Sequence, residues 1–218
     1  MTSQLIQAME ERSFQYEFLH TVFSSPLSIE LLKEWKNQSN FNPFEAQEHL
    51  IAFFSELSSL EIEKVEEKER ESFLQLFFGP EHIPAPPWES VYRTKERILF
   101  GEPTLQMRKK LREFNLYFQN ESKEPEDHIS IELEFMIYLI DEAIKSIKEG
   151  DENKFSRALE YQFLLLNDHL MNWIDPFTDD IQSATTSSLY KGSALLLRDF
   201  INQDYQYLLD IKEVINHE

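Results

Sequence analysis

The sequence predicts an all-α protein, a single helical bundle of about nine to ten helices with a long proline-rich loop between its N- and C-terminal halves. Three observations carry this prediction. Apolar residues recur at steps of three and four along nearly the whole chain, no series of alternating strands interrupts them, and five of the nine prolines crowd into residues 79 to 103.

The elements follow in order. Helices are expected near residues 3–24, 28–38, 44–58 and 60–78, separated by Pro26, by Asn40 to Pro43 and by a break near Ser58. The charge run EIEKVEEKERE, residues 61 to 71, places Glu66 and Arg70 at i,i+4 and reads as a solvated helix face. The stretch GPEHIPAPPWESVYRTKERILFGEP, residues 79 to 103, is held extended by its prolines and reads either as a binding loop or as a linker between two helical halves. A further helix is expected over 103–115.

In EPEDHISIELEFM, residues 124 to 136, Pro125 suits the first helical position. From there Ile129, Leu133, Met136, Ile140, Ala143 and Ile147 keep a helical period until Gly150 stops it. The block FMIYLI is apolar on every side, as in an interior helix. After Asp151 the same period runs through Phe155, Leu159, Phe163, Leu166, Leu170 and Trp173 until Pro176, so the two long helices form an antiparallel hairpin. Two last helices are expected over 186–203 and 205–216.

A chain of 218 residues with 41% apolar content can bury one sizeable core. The expected organisation is one domain over 1–218, with an N-terminal half 1–78, the loop 79–103 and a C-terminal half 104–218. No apolar run reaches the ~18 residues of a membrane span. The opening MTSQLIQAMEERSF lacks the pattern of an export signal, and a cytoplasmic location is expected. The absence of cysteine excludes disulfides, thiolate metal sites and cysteine nucleophiles. Gly79, Gly101, Gly150 and Gly192 are too far apart for a dinucleotide fingerprint or a phosphate loop. The net charge of −19 repels nucleic acid and anionic lipid. It either steers basic peptide partners or only keeps the chain soluble.

Three side-chain constellations are candidates for function. His128 and Glu132 lie one helical turn apart, near Glu124, Glu126 and Asp127, a spacing open to a metal-dependent hydrolase. Against it, H-E-x-x-H is absent, and acids in a first helical turn suit the helix dipole. Ser90, Asp127 and His128 make a poor hydrolytic set, since adjacent helical residues diverge by about 100° and no nucleophile elbow surrounds Ser90. The third set is Phe73, Leu76, Phe77, Pro86, Pro87, Trp88 and Tyr92, in which Trp88 either tucks into the core or offers a stiff apolar anchor to a peptide. Glu126 and Asp127 would then engage a guanidinium beside it.

LFFGPEHIPAPPWESVY, LFGEPTLQMR and EPEDHISIELEFM, in that order, resemble the signature blocks of the TorD/DmsD family of redox-enzyme maturation chaperones, with the DmsD branch nearest. HLMNWIDPF, residues 169 to 177, is similar to the family's C-terminal block. The likeness covers most of the chain from about residue 70 onward, and its blocks are specific jointly rather than singly. It implies an all-helical, cytoplasmic, non-catalytic chaperone without a cofactor. Such a protein binds the twin-arginine leader of a molybdopterin-dependent reductase precursor of the dimethyl-sulfoxide-reductase type, delays its export and assists cofactor insertion. Further implied partners are the twin-arginine translocase and, in a helix-swapped dimer as the alternative to a monomer, a second copy. The resemblance carries leader binding to Leu76, Phe77, Pro87, Trp88, Gly101, Asp127 and His128. Tyr92 falls where the family is aromatic, and Phe73 stands where relatives can carry tryptophan. Pro86 and Glu126 complete the expected peptide site by adjacency. Relatives that bind guanine nucleotides find no counterpart phosphate loop here.

Overall fold

The computed structural model describes residues 2–37, 47–79, 82–117 and 124–216. The described residues form ten α-helices, one 3-10 turn and no strand, so the all-α expectation holds. The helices are α1 (Thr2–Ser24), α2 (Ile29–Asn37), α3 (Glu48–Ser59), α4 (Ile62–Phe77), α5 (Glu89–Arg93), α6 (Glu102–Glu113), α7 (Ile129–Glu149), α8 (Glu152–Asp168), α9 (Ile174–Ala184) and α10 (Ser188–Asn216). The 3-10 turn is Leu170–Asn172. The expected start of the third helix at residue 44 and the Asn40 to Pro43 break lie outside the described residues.

Several elements depart from the expectation. Pro125 does not open α7; His128 caps it through Ser130 N at 3.1 Å, and Pro125, Glu126 and Asp127 form the turn before it. Pro176 lies in the first turn of α9, where the amide that proline lacks would be unpaired anyway, so it begins a helix rather than ending one. The expected helix from 152 to 175 accordingly stops at Asp168. The pair expected at 186–203 and 205–216 is one helix, because Asp204 is buried and satisfied within it. Finally, the proline-rich stretch is interrupted by α5.

The chain groups into two units, Met1–His20 with Trp88–Ile174 and Asp199–Glu218, and Thr21–Pro87 with Asp175–Arg198. The first unit is built on the α7–α8 hairpin. Gly150 adopts φ 72°, and the amides of Gly150 and Asp151 close back on Ile147 O and Ser146 O. Asp151 then caps α8 through Lys154 N at 3.0 Å. Leu133, Met136, Leu139 and Ile140 of α7 and Leu159, Leu165 and Leu166 of α8 are buried, each worth roughly 1.5–3 kcal/mol of transfer free energy. A polar knot crosses this core: Arg12 donates to both oxygens of Asp204 at 2.5 and 2.9 Å and to Gln162 at 2.9 Å, and Tyr16 OH donates to Asp204 at 2.6 Å.

The second unit is aromatic. Phe77 lies 5.0 to 6.2 Å, ring to ring, from Phe73, Phe23, Phe177 and Tyr190. Trp35 packs on Phe53 and Phe54 from α3. Ser187 accepts Tyr190 N at 3.3 Å at the start of α10 and donates to the buried Glu69 at 2.5 Å.

Candidate functional site

The turn that opens α7 is held from both α5 and α6. Its backbone pairs with the residues leading into α5: Trp88 and His128 form an isolated antiparallel bridge, and Glu89 N donates to Asp127 O at 3.0 Å. The Trp88 and His128 rings meet edge to face, 5.4 Å apart. Asp127 is fully buried, and both its oxygens are used. Oδ2 accepts Ser90 N at 2.7 Å, within the first turn of α5, and Oδ1 accepts the Thr104 hydroxyl at 2.6 Å from α6. Glu126, also buried, takes a two-pronged bond from Arg108, Nε to Oε1 at 2.6 Å and Nη2 to Oε2 at 2.8 Å. Thr104 and Arg108, one helical turn apart on α6, thus clamp consecutive acids of EPEDH.

The His128 ring is neutral. Its Nδ1 accepts Ser130 N and lies 2.8 Å from Ser130 Oγ, which leaves the ring proton on Nε2. Burial, and secondarily the nearby His20, lowers its pKa to about 4. Gly101 caps α6, and a Cβ there would lie 3.2 Å from Ser90 Cβ and 3.2 Å from Thr94 Cγ2, so the close approach of α6 to α5 favours glycine.

Between these helices, residues 94–101 form a loop that sets apolar side chains in solvent. Ile98, Leu99 and Phe100 are 51%, 42% and 47% exposed, and Glu96 and Glu102 stand exposed around them. Arg97 and Phe100 hold left-handed φ values of 50° and 59°, uncommon and strained for side chains of their size. Thr94 fixes the loop, its hydroxyl donating to Ser90 O at 2.7 Å and accepting Ile98 N at 3.1 Å. Arg97 lies over the Tyr92 ring at 5.3 Å.

Beneath α5 is a second buried cluster. His169 Nδ1 is 2.6 Å from Glu89 Oε2, Arg93 pairs with Glu89, and Trp173 Nε1 donates to Glu132 Oε2 at 3.1 Å. Glu89, Glu132 and His169 have no exposed surface. Burial first, then the Glu89 carboxylate against it, pushes the Glu132 carboxyl well above the usual range. Ionised carboxylates only accept, so the Glu132–Glu89 contact is a hydrogen bond only while one of them keeps a proton. Without that proton Glu132 Oε1 has no partner.

The structure therefore brings together, within the first unit, Trp88, Gly101, Glu126, Asp127 and His128. Tyr92 projects from α5 toward Trp173, their rings 5.6 Å apart. Leu76, Phe77, Pro86 and Pro87 belong to the second unit and are buried there, with Ala85 N donating to Leu76 O at 3.1 Å. His128 is engaged with Ser130, and the partners of Glu132 are Glu89 and Trp173 rather than His128. Asp127 bonds the amide of Ser90, not its hydroxyl. Thr104, Arg108, Glu89 and His169 are residues of the site that the sequence expectation lacks. The i,i+4 placement of a hydroxyl and a guanidinium in LFGEPTLQMR was the available signal for the first two.

Comparison with known proteins fixes the family. The model of the nitrate reductase delta subunit family matches residues 42–179. The chain belongs to the TorD/DmsD family of redox-enzyme maturation chaperones. It is 26% identical over 208 residues to the chaperone protein TorD of Aliivibrio salmonicida, covering 91% of this chain and 95% of that one. It is 32% identical over 126 residues to a protein named as the Tat proofreading chaperone DmsD in Haemophilus influenzae, covering 58% and 55%. A TorD chaperone of Vibrio cholerae is 33% identical over 132 residues, 61% and 58% of the two chains. The crystal structure of a candidate redox enzyme maturation protein from Archaeoglobus fulgidus shares the fold, with a TM-score of 0.52 at 18% identity over 88% of this chain and 91% of that chain. Membership in the TorD/DmsD family makes the protein a redox-enzyme maturation chaperone. Among the described residues no helix is long and apolar enough to cross a membrane.

Proposed function

We propose that this chaperone binds the twin-arginine leader of a molybdopterin-dependent reductase precursor of the dimethyl-sulfoxide-reductase type in the cytoplasm, holds it back from the twin-arginine translocase, and assists folding and cofactor insertion. The observation that carries the reading is the α5–α6 loop, where three consecutive apolar side chains stand in solvent between two exposed acids, with left-handed backbone at Arg97 and Phe100. Isolated exposed apolar residues are ordinary, but a contiguous set bracketed by unfavourable dihedrals at Arg97 and Phe100 suits contact with an apolar segment. Ile98, Leu99 and Phe100 would take the apolar stretch of the leader, with Trp88, Tyr92 and His128 on the adjoining tip. Glu96 and Glu102 would face the arginines, helped by the net charge of −19.

Asp127 and Glu126 act indirectly in this reading. Their oxygens are already occupied by Ser90, Thr104 and Arg108, so they set the geometry of the tip rather than touch the peptide. Leu76, Phe77, Pro86 and Pro87 are buried, and the proposed contact rests on the first unit.

The test is capture of the partner from native cell extract, followed by sequencing of its N-terminus. An unprocessed reductase precursor beginning with a twin-arginine leader supports the reading. A partner set without such leaders sinks it.

A further inference from the structure

The cluster beneath α5 has chemistry that leader binding does not use. Glu89 from α5, Glu132 from α7 and His169 from the α8 C-terminus each offer one ligand atom, and the three atoms lie within 4.8 Å of one another. None of the three residues has exposed surface. His169 faces the cluster with Nδ1, and Glu132 Oε1 is buried without a hydrogen-bond partner, which buried polar atoms rarely are.

Charge points the same way. Glu89, Glu132 and Asp127 are three fully buried carboxylates in one neighbourhood. Asp127 is satisfied by an amide and a hydroxyl, and Glu89 is paired with Arg93. Apart from its contact with Glu89, which is a hydrogen bond only while a proton lies between the two, Glu132 receives the indole N–H of Trp173, so its charge must be neutralised by a proton or by a cation. A divalent cation would neutralise Glu89 and Glu132 together. Arg93, which also donates to Asp168 O at 2.7 Å, would keep that second partner.

We infer that Glu89, Glu132 and His169 form a binding site for one first-row divalent metal ion that ties α5, α7 and the end of α8 together. Two carboxylates and an imidazole are a donor set suited to zinc, manganese or iron, and ligand bonds of about 2.0–2.2 Å require donor atoms closer than they now lie at their widest. Rotations of the Glu132 and His169 side chains would supply that contraction. The metal takes the place of the Glu132 proton, which leaves to solvent, so binding is accompanied by proton release. The role is structural, since Trp173 and the helix walls enclose the ligands. It is independent of which peptide the chaperone carries.

The experiment uses the full untagged chain, stripped with chelator and then titrated with Co²⁺ and with Zn²⁺. The expected result is one equivalent bound, a visible Co²⁺ absorption band of a low-symmetry site that Zn²⁺ abolishes, proton release on calorimetry in two buffers, and a higher melting temperature. Glu132→Gln keeps the shape and the Trp173 contact, should fold without metal, and should weaken Co²⁺ binding at least 100-fold; His169→Gln should remove the band. Overturning results are an absent band, or uptake and thermal shift that are the same in the wild type and in Glu132→Gln. Either would mean that the cluster is held by its proton alone. Leader binding by the stripped protein is measured alongside, so that loss of the metal site and failure of the leader-binding reading register separately.

Discussion

Asp127 accepts the Thr104 hydroxyl at 2.6 Å while its other oxygen accepts the amide of Ser90 at 2.7 Å, so one buried carboxylate joins α5, α6 and the turn before α7. A residue that the sequence placed at a binding rim is thus an internal staple.

The first prediction follows. Asp127→Ala leaves the Ser90 amide and Thr104 hydroxyl without their acceptor, a loss of about 2–4 kcal/mol of unfolding free energy by urea denaturation. Thr104→Val, nearly isosteric, should cost about 1–2 kcal/mol. Because Asp127 is not in solvent, any loss of leader binding in Asp127→Asn should be the same at low and high salt, whereas an exposed charge would lose its effect as salt rises.

Arg108 and Glu126 should behave as a coupled pair. Glu126 is buried and Arg108 partly exposed, so Arg108→Ala strands a carboxylate and should cost about 2–3 kcal/mol, discounted from a fully buried pair for water access. In a double-mutant cycle, Arg108→Ala with Glu126→Gln should cost less than the sum of the single changes by about 1 kcal/mol or more. Additive effects would show that the two-pronged bond is not a stabilising element.

Stability should fall with acid through His128. Burial holds its folded pKa at about 4, below the ordinary histidine value of 6.5, so between these values the unfolded chain binds the extra proton and unfolding becomes easier as pH drops. At pH 5 the loss from this group is about 2 kcal/mol relative to neutral pH. His128→Asn retains a capping side chain and removes the titration, and its urea midpoint should shift less between pH 7 and pH 5 than the wild type's. Equal shifts would mean that the ring is solvated.

The hairpin was legible from the sequence because local chemistry decides it: a left-handed Gly150, a capping Asp151 and an unbroken apolar period. The failures have two causes. Pro176 and Asp204 are breakers by local propensity, overruled by an N-terminal position at the first and by buried partners at the second, whereas Pro125 stays in the turn because His128 takes the cap of α7. Asp204 stays helical because Arg12 and Tyr16 reach it across 192 and 188 residues of chain. Of the residues marked by the sequence blocks, Trp88, Gly101, Asp127 and His128 lie in the first unit. The roles within it were not legible, since whether an acid is a free charge or a staple depends on Thr104 and Arg108, which spacing alone does not connect to it.

The central claim is that the exposed loop and the Trp88 tip receive a twin-arginine leader. The most direct measurement is calorimetric titration of a synthetic leader, with its arginine pair and apolar stretch, into the wild type and into Trp88→Ala and Phe100→Ala. One site is predicted, weakened about tenfold or more by each substitution with the helical circular-dichroism signal kept, and weakened again when the peptide's arginines become lysines. Unchanged affinity in both variants would contradict the account.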